Sequence, residues 1–427
     1  MTEIRPFRAV VYNQDKIKDL AGVVCPPYDV ISVAEQERYH ELSPYNFIHI
    51  LFGRDIPADD KYERASRYFK DWLAERILIQ QDRPGIYFYA QDYKIRGEKK
   101  TRWGFIALLG LEEDNVSIFA HENTRAMPCE DRLKLLKAVK ANLSPIFVVF
   151  SDKQKIIQRV SARCLAQGKP FIDITDNING RHRIWRVDSS DILNDIENKM
   201  SRENIFIADG HHRYEVACAY RQEMKKVKGA LAADGPFNYI LAYFTNTDPK
   251  GLTILPIHRL VKLPNSLNIG GVLSLARDYF DVEEIKDQTK FFFLLEKAGK
   301  SEHVLGLYKD KRYWLLRLKN IRILDKIIPD KPKEYRALDT AILNYLVLED
   351  ILKLKNEDKE NIIYSQDARE LIEAVDQDRS CVAFFLNPAA MQQIMDVALT
   401  GNKMPPKSTF FYPKVLSGLV INKHEEN

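Results

Sequence analysis

The amino-acid sequence predicts a mixed α/β fold, of α+β character, in which helices pack on mixed sheets. The chain has 427 residues, of which 45% are hydrophobic, so it can bury about two or three cores. Runs of aromatic and β-branched residues alternate with segments whose apolar residues recur every three or four positions, as in strands and amphipathic helices. We predict an α+β region over 1–150, an αβ region over 151–260 and a C-terminal αβ region over 261–427, with one intertwined unit as the alternative.

The first region shows both periods clearly. Tyr62, Tyr68, Phe69 and Trp72 recur at helical spacing, and the two aromatic runs on either side of Arg96-Gly97-Glu98 are typical of a hairpin. The predicted elements are, in chain order, a strand over 5–12, a helix over 61–77, strands over 86–93 and 101–111, a helix over 130–140 and a strand over 145–150.

The later regions repeat the alternation. In the second region a strand over 205–208 runs into a tight Asp209-Gly210 turn, and a helix begins near His211. The predicted strands of the third region are 291–295, 304–308, 313–318, 362–365, 382–386 and 410–412, and its predicted helices are 339–352, 368–375 and 389–399.

Charge and cysteine content exclude several classes of protein. The 64 Lys and Arg residues nearly balance the 60 Asp and Glu residues, which argues against dedicated nucleic-acid binding. The five cysteines are scattered without a Cys-x-x-Cys pair, so we expect reduced thiols in a cytoplasmic protein. No signal peptide and no long apolar run are present, which predicts no membrane association. The sequence does not predict the oligomeric state.

The turn Asp209-Gly210-His211-His212-Arg213 is the strongest candidate site. Gly210 lets the backbone turn or approach a ligand closely, and the first N–H groups of the following helix have no partner within it. His211, His212 and Arg213 add donors suited to phosphate oxygens, and Asp209 could hold Mg²⁺ that bridges phosphate groups. The alternative is a surface helix start in which Asp209 caps the helix and Arg213 pairs with a local carboxylate.

The same residues permit a metal site. His211 or His212 could share a helical face with Glu215 and bind one ion, with a third ligand from His121 or Glu122. This arrangement would suit a metal-dependent hydrolase.

Further candidate residues lie in three loops. Glu122 follows a strand-like run and could accept a proton from a hydroxyl, while Thr124, Arg125 and Arg132 could bind an anion. Proline pairs stiffen the loops that present Lys407, Ser408 and Thr409, and Tyr28 and Asp29, as candidate binding groups. For each loop the alternative is ordinary structure, a charged segment before a helix or a rigid turn. The candidate substrate-binding residues are Tyr28, Asp29, His121, Lys407, Ser408 and Thr409.

Several motifs together resemble a known family. RPFRAV, PPYDVIS, SPYNFIHI, HENT with DRL and ANLSPIF, ADGHHRYE and MPPKSTFFYPK occur in this order and resemble the DUF1015 family of bacteria and archaea. More remotely, the turn at Asp209 is similar to the nucleotide-binding turn of the ParB/sulfiredoxin-like superfamily, which includes partition proteins that hydrolyse CTP and free serine kinases that use ADP or ATP. This second resemblance implies a ParB/sulfiredoxin-like nucleotide-binding element and assigns Asp209, His211, His212 and Arg213 to phosphate and Mg²⁺.

These observations lead to a functional hypothesis. The chain is expected to be a phosphotransferase that uses ATP or ADP with Mg²⁺ and acts on a small hydroxylated metabolite, with a free amino acid such as serine as a candidate. Glu122, Asp209 and His211 would be catalytic, Gly210 to Arg213 would bind the nucleotide, and Asp209 would bind the metal. The alternatives are a regulatory nucleotide-binding protein that hydrolyses slowly or not at all and a metal-dependent hydrolase.

Overall fold

A computed structural model describes residues 1–113, 116–124, 126–229, 235–354 and 362–425 of the chain. The chain forms two compact units. Unit one comprises Met1–Ala120, Thr124–Thr253 and Pro413–Asn427, and unit two comprises His121–Asn123 and Ile254–Tyr412. The predicted mixture of helices and mixed sheets is confirmed, and the chain divides at other points than the three sequence regions.

A nine-stranded mixed sheet forms the centre of unit one. Two neighbouring pairs are parallel and the rest are antiparallel. In spatial order the strands are Ile118–Ala120, Ile205–Asp209, Ile146–Phe150, Tyr239–Asn246, Glu98–Gly110, Ile86–Ile95, Arg181–Val187 and Ile172–Thr175, with Ile4–Arg5 also paired to Glu98–Gly110.

The predicted hairpin is confirmed. Ile95 pairs with Glu98 across a two-residue turn in which Arg96 and Gly97 have φ values of 47° and 86°. Positive φ at both central residues is typical of the tight hairpin turn whose twist matches that of the two strands.

The helices of unit one pack beside this sheet. Their bounds are Val33–Leu42, Ile48–Leu51, Lys61–Ala74, Ala126–Val139, Ile156–Gln167, Ser190–Met200 and His211–Lys228, with short 3-10 turns at Tyr28–Val30 and Pro236–Asn238. The predicted amphipathic helix begins at Lys61, because Asp60 accepts hydrogen bonds from the next backbone N–H groups, and it buries Phe69 and Trp72.

That helix ends earlier than predicted, and the first predicted strand is divided. Arg76 has a φ of 57°, and the chain then turns into the strand Leu78–Gln80, which pairs with Val10–Tyr12. The segment predicted as one strand is therefore two, Ile4–Arg5 and Val10–Tyr12.

The two faces of the central sheet differ in chemistry, because successive side chains of a strand point to opposite faces. One face carries apolar residues such as Phe88, Phe105 and Phe244, which pack against residues of the helices Ile156–Gln167 and Ser190–Met200. The other face carries buried polar and aromatic residues, among them Tyr89, Gln91, Arg102 and Tyr243. The C-terminal segment returns to unit one, where Asn422–Lys423 pairs with Ala141–Asn142.

Unit two contains a six-stranded antiparallel sheet. Its strands, in spatial order, are Phe280–Ile285, Arg312–Leu318, Val304–Lys309, Cys381–Phe385, His258–Lys262 and Ile363–Ser365, and a separate pair is formed by Thr253–Leu255 and Phe410–Tyr412. Its helices are Ile269–Ala276, Gln288–Ala298, Leu324–Ile327, Lys333–Arg336, Asp339–Ile342 with the π-helical continuation Leu343–Ile351, Ala368–Gln377 and Met391–Leu399, and a 3-10 turn spans Ile321–Ile323.

One predicted strand is wrong. The run 291–295 lies in the helix Gln288–Ala298, which Asp287 caps by accepting a hydrogen bond from the Lys290 backbone. Phe291 and Leu295, four residues apart, are buried while Phe293 is exposed, so the run is amphipathic with a helical period. A short continuous apolar run does not distinguish a helix from a strand by its pattern alone.

None of the helices in the described part of the chain combines the length and the apolar character that a bilayer span requires.

Candidate functional site

The turn after the strand Ile205–Asp209 requires glycine. Gly210 has a φ of 87° and a ψ of 29°, in the left-handed region that other residues rarely adopt. A Cβ atom at this position would lie 2.9 Å from the guanidinium of Arg213. The helix His211–Lys228 begins immediately afterwards, and the residue at its N-cap, Gly210, has no side chain that could cap it. In general the start of a helix favours negative charge, through its dipole and its first backbone N–H groups.

Asp209 forms ion pairs with two cations. Arg213 donates from Nη2 to Oδ2 of Asp209 over 2.9 Å and from Nη1 to the Pro145 carbonyl, while Lys414 donates to Oδ1 of Asp209. Burial acts to raise the pKa of Asp209, but the charges of Lys414 and Arg213 outweigh it and hold the pKa below its usual value. The carboxylate is therefore ionised and shared between the two cations.

Lys414 is a site residue that the sequence reasoning missed. It lies 205 residues from Asp209 along the chain, and no local pattern distinguishes it from the other lysines. Gln91 and Arg102 hold its backbone: Gln91 Nε2 donates to the Lys414 carbonyl over 3.0 Å, and Arg102 donates to the carbonyl of Pro413. Arg102 is fully buried. These two residues, also missed, fix the point from which the Lys414 side chain reaches Asp209.

Asp29 adds a second carboxylate. It lies in the short turn Tyr28–Val30 after the two prolines, and the residue as a whole is exposed, whereas its carboxyl group is surrounded by protein atoms. Desolvation by the surrounding protein raises the pKa of Asp29, and repulsion from Asp209 raises it further, although Arg213 and Lys414 oppose the shift. We call Asp29, Asp209, Arg213 and Lys414 the charge cluster. The structure thus brings the predicted residues Asp29, Asp209 and Arg213 together.

Tyr28 and Arg132 lie beside the charge cluster. The guanidinium of Arg132 is 4.3 Å from the centre of the Tyr28 ring and donates to the Leu51 carbonyl over 2.7 Å and to Asp131. Burial raises the pKa of Tyr28 to about 12. Tyr28, Arg132, Ser144 and Arg213 line a pocket of about 60 Å³. This volume is far below the ~300 Å³ of a small-molecule pocket, so a nucleotide would extend beyond it.

The two histidines of the turn differ in exposure. His211 is buried and His212 is partly exposed. Arg213 is turned back toward Asp209, so its pairing with a local carboxylate, the alternative considered above, is present in this structure. Asp209 does not cap the helix. The phosphate-binding roles of Gly210, His211, His212 and Arg213 stay predictions.

A second group of predicted residues meets in unit two. His121 Nε2 lies 3.0 Å from the Thr409 hydroxyl, which in turn lies 3.4 Å from Oε1 of Glu122. A carboxylate only accepts hydrogen bonds, so the Thr409 hydroxyl donates to Glu122. The hydroxyl has a single hydrogen, so it accepts in its contact with His121, and Nε2 of the imidazole carries the hydrogen of that contact. Loops far apart in the sequence are thus joined by one hydroxyl.

The rest of the proline-rich loop is tied down internally. The Ser408 side chain is buried, and its hydroxyl donates to the Pro405 carbonyl over 2.6 Å and contacts Thr340. Lys407 is exposed, and its carbonyl accepts a hydrogen bond from the buried Arg259 over 2.9 Å. The Ser408 hydroxyl is therefore used within the loop, and the substrate-binding roles of Lys407, Ser408 and Thr409 stay predictions.

The metal site considered as an alternative is not assembled among the described residues. In unit one Thr124 donates to Glu215. No group of three or more His, Cys, Asp or Glu side chains within the described ranges is arranged to hold a metal ion. Arg125, predicted to bind an anion with Thr124 and Arg132, lies outside the described residues.

Comparison with known proteins gives one family and several remote structural likenesses. The family model described as a protein of unknown function, DUF1015, matches residues 4–341. No curated protein matches the chain. A free serine kinase in complex with AMP aligns at 10% identity with a TM-score of 0.33, covering 75% of this chain and 91% of that chain. A mutant free serine kinase in complex with ADP aligns at 10% identity with a TM-score of 0.35, covering 75% and 92%. SbnI with a C-terminal truncation, from Staphylococcus aureus, aligns at 10% identity with a TM-score of 0.36, covering 73% and 85%.

Proposed function

We propose that this chain, which belongs to the DUF1015 family of proteins of unknown function, binds nucleotide phosphates at the charge cluster and phosphorylates a small hydroxylated metabolite. One observation carries the proposal. Asp209 forms ion pairs with a guanidinium four residues away and with an ammonium 205 residues away along the chain, at the start of the helix His211–Lys228. Backbone donors and two fixed cations are the groups that recognise phosphate oxygens.

Partner exchange is the expected response of the cluster to a phosphate. The two ion pairs keep the side chains of Arg213 and Lys414 ordered before the ligand arrives, so less side-chain entropy is lost on binding. An entering phosphate competes with Asp209 for both cations. The helix dipole and the first N–H groups of the helix favour the same negative charge.

Mg²⁺ fits the acidic half of the cluster. Asp209 raises the pKa of Asp29, so the two carboxylates are close enough to repel each other, and oxygen ligands of this kind suit a hard cation. Mg²⁺ in proteins is commonly held by one or two carboxylates together with substrate phosphates, so the small number of protein ligands is adequate. Asp29 and Asp209 would hold the ion, which would neutralise phosphate charge.

Glu122 is the proposed proton acceptor of the reaction. Its carboxylate already lies next to a hydroxyl, that of Thr409, which is the kind of group that a substrate would present. His121, on the other side of that hydroxyl, would orient it. We assign Tyr28, Lys407 and Thr409 to substrate binding, Ser408 to holding the loop that presents them, and His211 to the stabilisation of the transferring phosphoryl group.

Nucleotide binding is the first test. Thermal unfolding of the full chain is measured with ATP, ADP, CTP and GTP, with and without Mg²⁺, and at a ligand concentration of 100 Kd binding adds about 2.7 kcal/mol. We expect Arg213→Ala to abolish the shift. Arg221→Ala is the matched control, because Arg221 lies on the same helix with similar burial and donates to the Leu111 carbonyl away from the cluster. No shift with any nucleotide for the wild-type protein would reject the proposal.

Phosphoryl transfer is tested separately. ³¹P NMR of the protein with the bound nucleotide and a panel of hydroxylated metabolites that includes serine should show a new phosphate ester. Nucleotide binding without such a product would favour the regulatory alternative. An activity that needs tightly bound Zn²⁺ and no nucleotide would favour the hydrolase.

A further inference from the structure

One buried arginine of unit two contacts the proline-rich loop 401–409. Arg259 lies in the strand His258–Lys262, which is paired on both sides, with Ile363–Ser365 and with Cys381–Phe385. The residue is only 1% exposed and belongs to the largest fully buried side chains of the described structure. The sheet therefore fixes the backbone from which this guanidinium extends.

The guanidinium joins two segments that are far apart in the sequence. Nη2 of Arg259 donates to the Lys407 carbonyl over 2.9 Å, across 148 residues of chain, and Nη1 donates to the Ile257 carbonyl. The centre of the Tyr364 ring lies 5.5 Å from Cζ. Among the described residues no carboxylate pairs with Arg259, so two neutral carbonyl oxygens accept from a buried positive charge.

A buried charge of this kind makes the contact with the loop strong. Removing a charge from water costs free energy, and hydrogen bonds recover that cost only where their geometry is well fixed. A hydrogen bond from a charged donor is also about twice as strong as one between neutral groups. Because the loss of the Lys407 carbonyl would leave the guanidinium with one acceptor fewer, Arg259 holds the loop more firmly than a neutral donor would.

The same loop contacts His121 at two places. The Met404 backbone N–H donates to the His121 carbonyl over 2.7 Å. The Thr409 hydroxyl accepts from Nε2 of His121 and donates to Glu122. Lys407 lies between Met404 and Thr409 in the loop, so the bond from the buried arginine lies between the two contacts with His121.

Lys407 has an unfavourable backbone conformation. Its φ of 57° lies in the left-handed region, which residues other than glycine rarely adopt. The hydrogen bond from Arg259 to the Lys407 carbonyl offsets this strain. Without that bond the turn would relax, and the backbone between Met404 and Thr409 would relax with it.

We propose that Arg259 is a positioning residue, whose guanidinium holds the loop in the conformation that places His121 and Glu122 at the Thr409 hydroxyl. The meaning of this role for catalysis rests on the proposed function, in which Glu122 accepts a proton. The contacts of the loop with His121 do not rest on it. Arg259→Lys is the informative variant, because lysine keeps the charge and lacks the planar fork that reaches two carbonyl oxygens.

NMR of the full chain is the first test. The Nε2–H resonance of His121 reports its bond to Thr409, and hydrogen exchange of the Met404 amide reports the second contact. In Arg259→Lys we expect the His121 resonance to shift or disappear and the Met404 amide to exchange at least about tenfold faster. Arg317→Lys is the matched control and should change neither signal, because Arg317 lies in the same sheet and pairs with Glu302 and Glu283.

Kinetics separate positioning from a purely structural role. In the phosphoryl-transfer assay Arg259→Lys should lower kcat at least about tenfold and leave the nucleotide Kd unchanged, because a small displacement of a reacting group is enough for such a loss. An unchanged kcat beside an active wild-type protein would overturn the proposal. If the wild-type protein transfers no phosphoryl group, the proposed function fails and the NMR result still decides this inference.

The NMR outcomes are equally decisive. Unchanged His121 and Met404 signals in folded Arg259→Lys would overturn the proposal, and so would the same changes in Arg317→Lys. If Arg259→Lys does not fold, the wild-type protein decides. Separate ¹⁵N resonances for Nη1 and Nη2 of Arg259 are expected from a guanidinium held at both ends, and a single averaged resonance would overturn the proposal.

Discussion

Replacement of Gly210 by alanine tests whether the bare backbone of this turn positions Arg213. The φ of 87° at this position places an L-residue in the left-handed region, which costs roughly 1–2 kcal/mol. The new Cβ would also lie 2.9 Å from Cζ and Nη2 of Arg213, well inside a normal non-bonded contact. The guanidinium must then shift, which weakens its contacts with Asp209 and the Pro145 carbonyl.

The loss of the Arg213 contacts adds to the backbone strain. A hydrogen bond to a charged group contributes about 1.5–3 kcal/mol, and the two partners are only 12% and 13% exposed, so solvent screens the pair little. Because the displaced side chain can recover part of this energy elsewhere, we expect Gly210→Ala to lower the free energy of unfolding by about 2–4 kcal/mol. Nucleotide affinity should fall at least about tenfold, because a loss of about 1.4 kcal/mol of binding free energy raises the Kd tenfold.

Gly97→Ala is the matched control. Gly97 has a φ of 86°, and a Cβ there would meet nothing within 4 Å, so this variant measures the backbone strain alone, roughly 1–2 kcal/mol. Both glycines lie in unit one and report on the same unfolding transition. Urea unfolding of the two variants gives the difference that Arg213 displacement accounts for.

The double variant completes the test. In an Arg213→Ala background the clash is removed, so Gly210→Ala should then cost no more than Gly97→Ala. Equal costs for the two single variants, with nucleotide affinity unchanged by Gly210→Ala, would refute the reasoning, because the position of Arg213 would not depend on the missing Cβ.

Three further variants separate the roles in the site. Lys414→Met removes the charge that does most to lower the pKa of Asp209, so an NMR titration should show that pKa rise, and calorimetry should show at least about tenfold weaker nucleotide binding; an unchanged pKa would contradict the ion pair. Asp29→Asn should stabilise the protein at pH 7, because a carboxyl whose pKa is raised in the folded state costs stability when it is ionised. This gain should disappear as the pH falls below the ordinary carboxyl pKa of 3.8. Urea unfolding that shows destabilisation at pH 7 would argue against this. Glu122→Gln should abolish phosphoryl transfer in a coupled assay and leave nucleotide affinity intact, and retained turnover would remove Glu122 from the mechanism.

The parts of the fold that the sequence predicts correctly are those with local signals. The hairpin at Arg96 and Gly97 is such a case, because adjacent residues set its turn. The helix start at His211 is another, because Gly210 precedes it directly. The run 291–295 shows the limit of local pattern, since five consecutive apolar residues fit either period and the capping by Asp287 decides for a helix.

Long-range arrangement has no such signal. The C-terminal segment returns to unit one after the whole of unit two, and no composition change or flexible linker marks either crossing. The contact between Lys414 and Asp209 therefore depends on the tertiary structure and has no local sequence signal. The buried Gln91 and Arg102 hold the backbone at Lys414 and Pro413 in place for it. The meeting of His121 and Glu122 with Thr409 in unit two has the same origin. Residue types were predictable here, and partners were not.

Asp29 distinguishes the charge cluster from an ordinary ion pair. A purely structural group of ion pairs would consist of Asp209 with Arg213 and Lys414 alone. The charges of these two cations lower the pKa of the Asp209 carboxyl. Asp29 adds a carboxylate that desolvation and Asp209 both disfavour in its ionised form, so its presence costs folding free energy at neutral pH. Ionisable groups with perturbed pKa values are concentrated at functional sites. A cation bound beside Asp29, as proposed for Mg²⁺, would remove this cost because it would favour the ionised carboxyl.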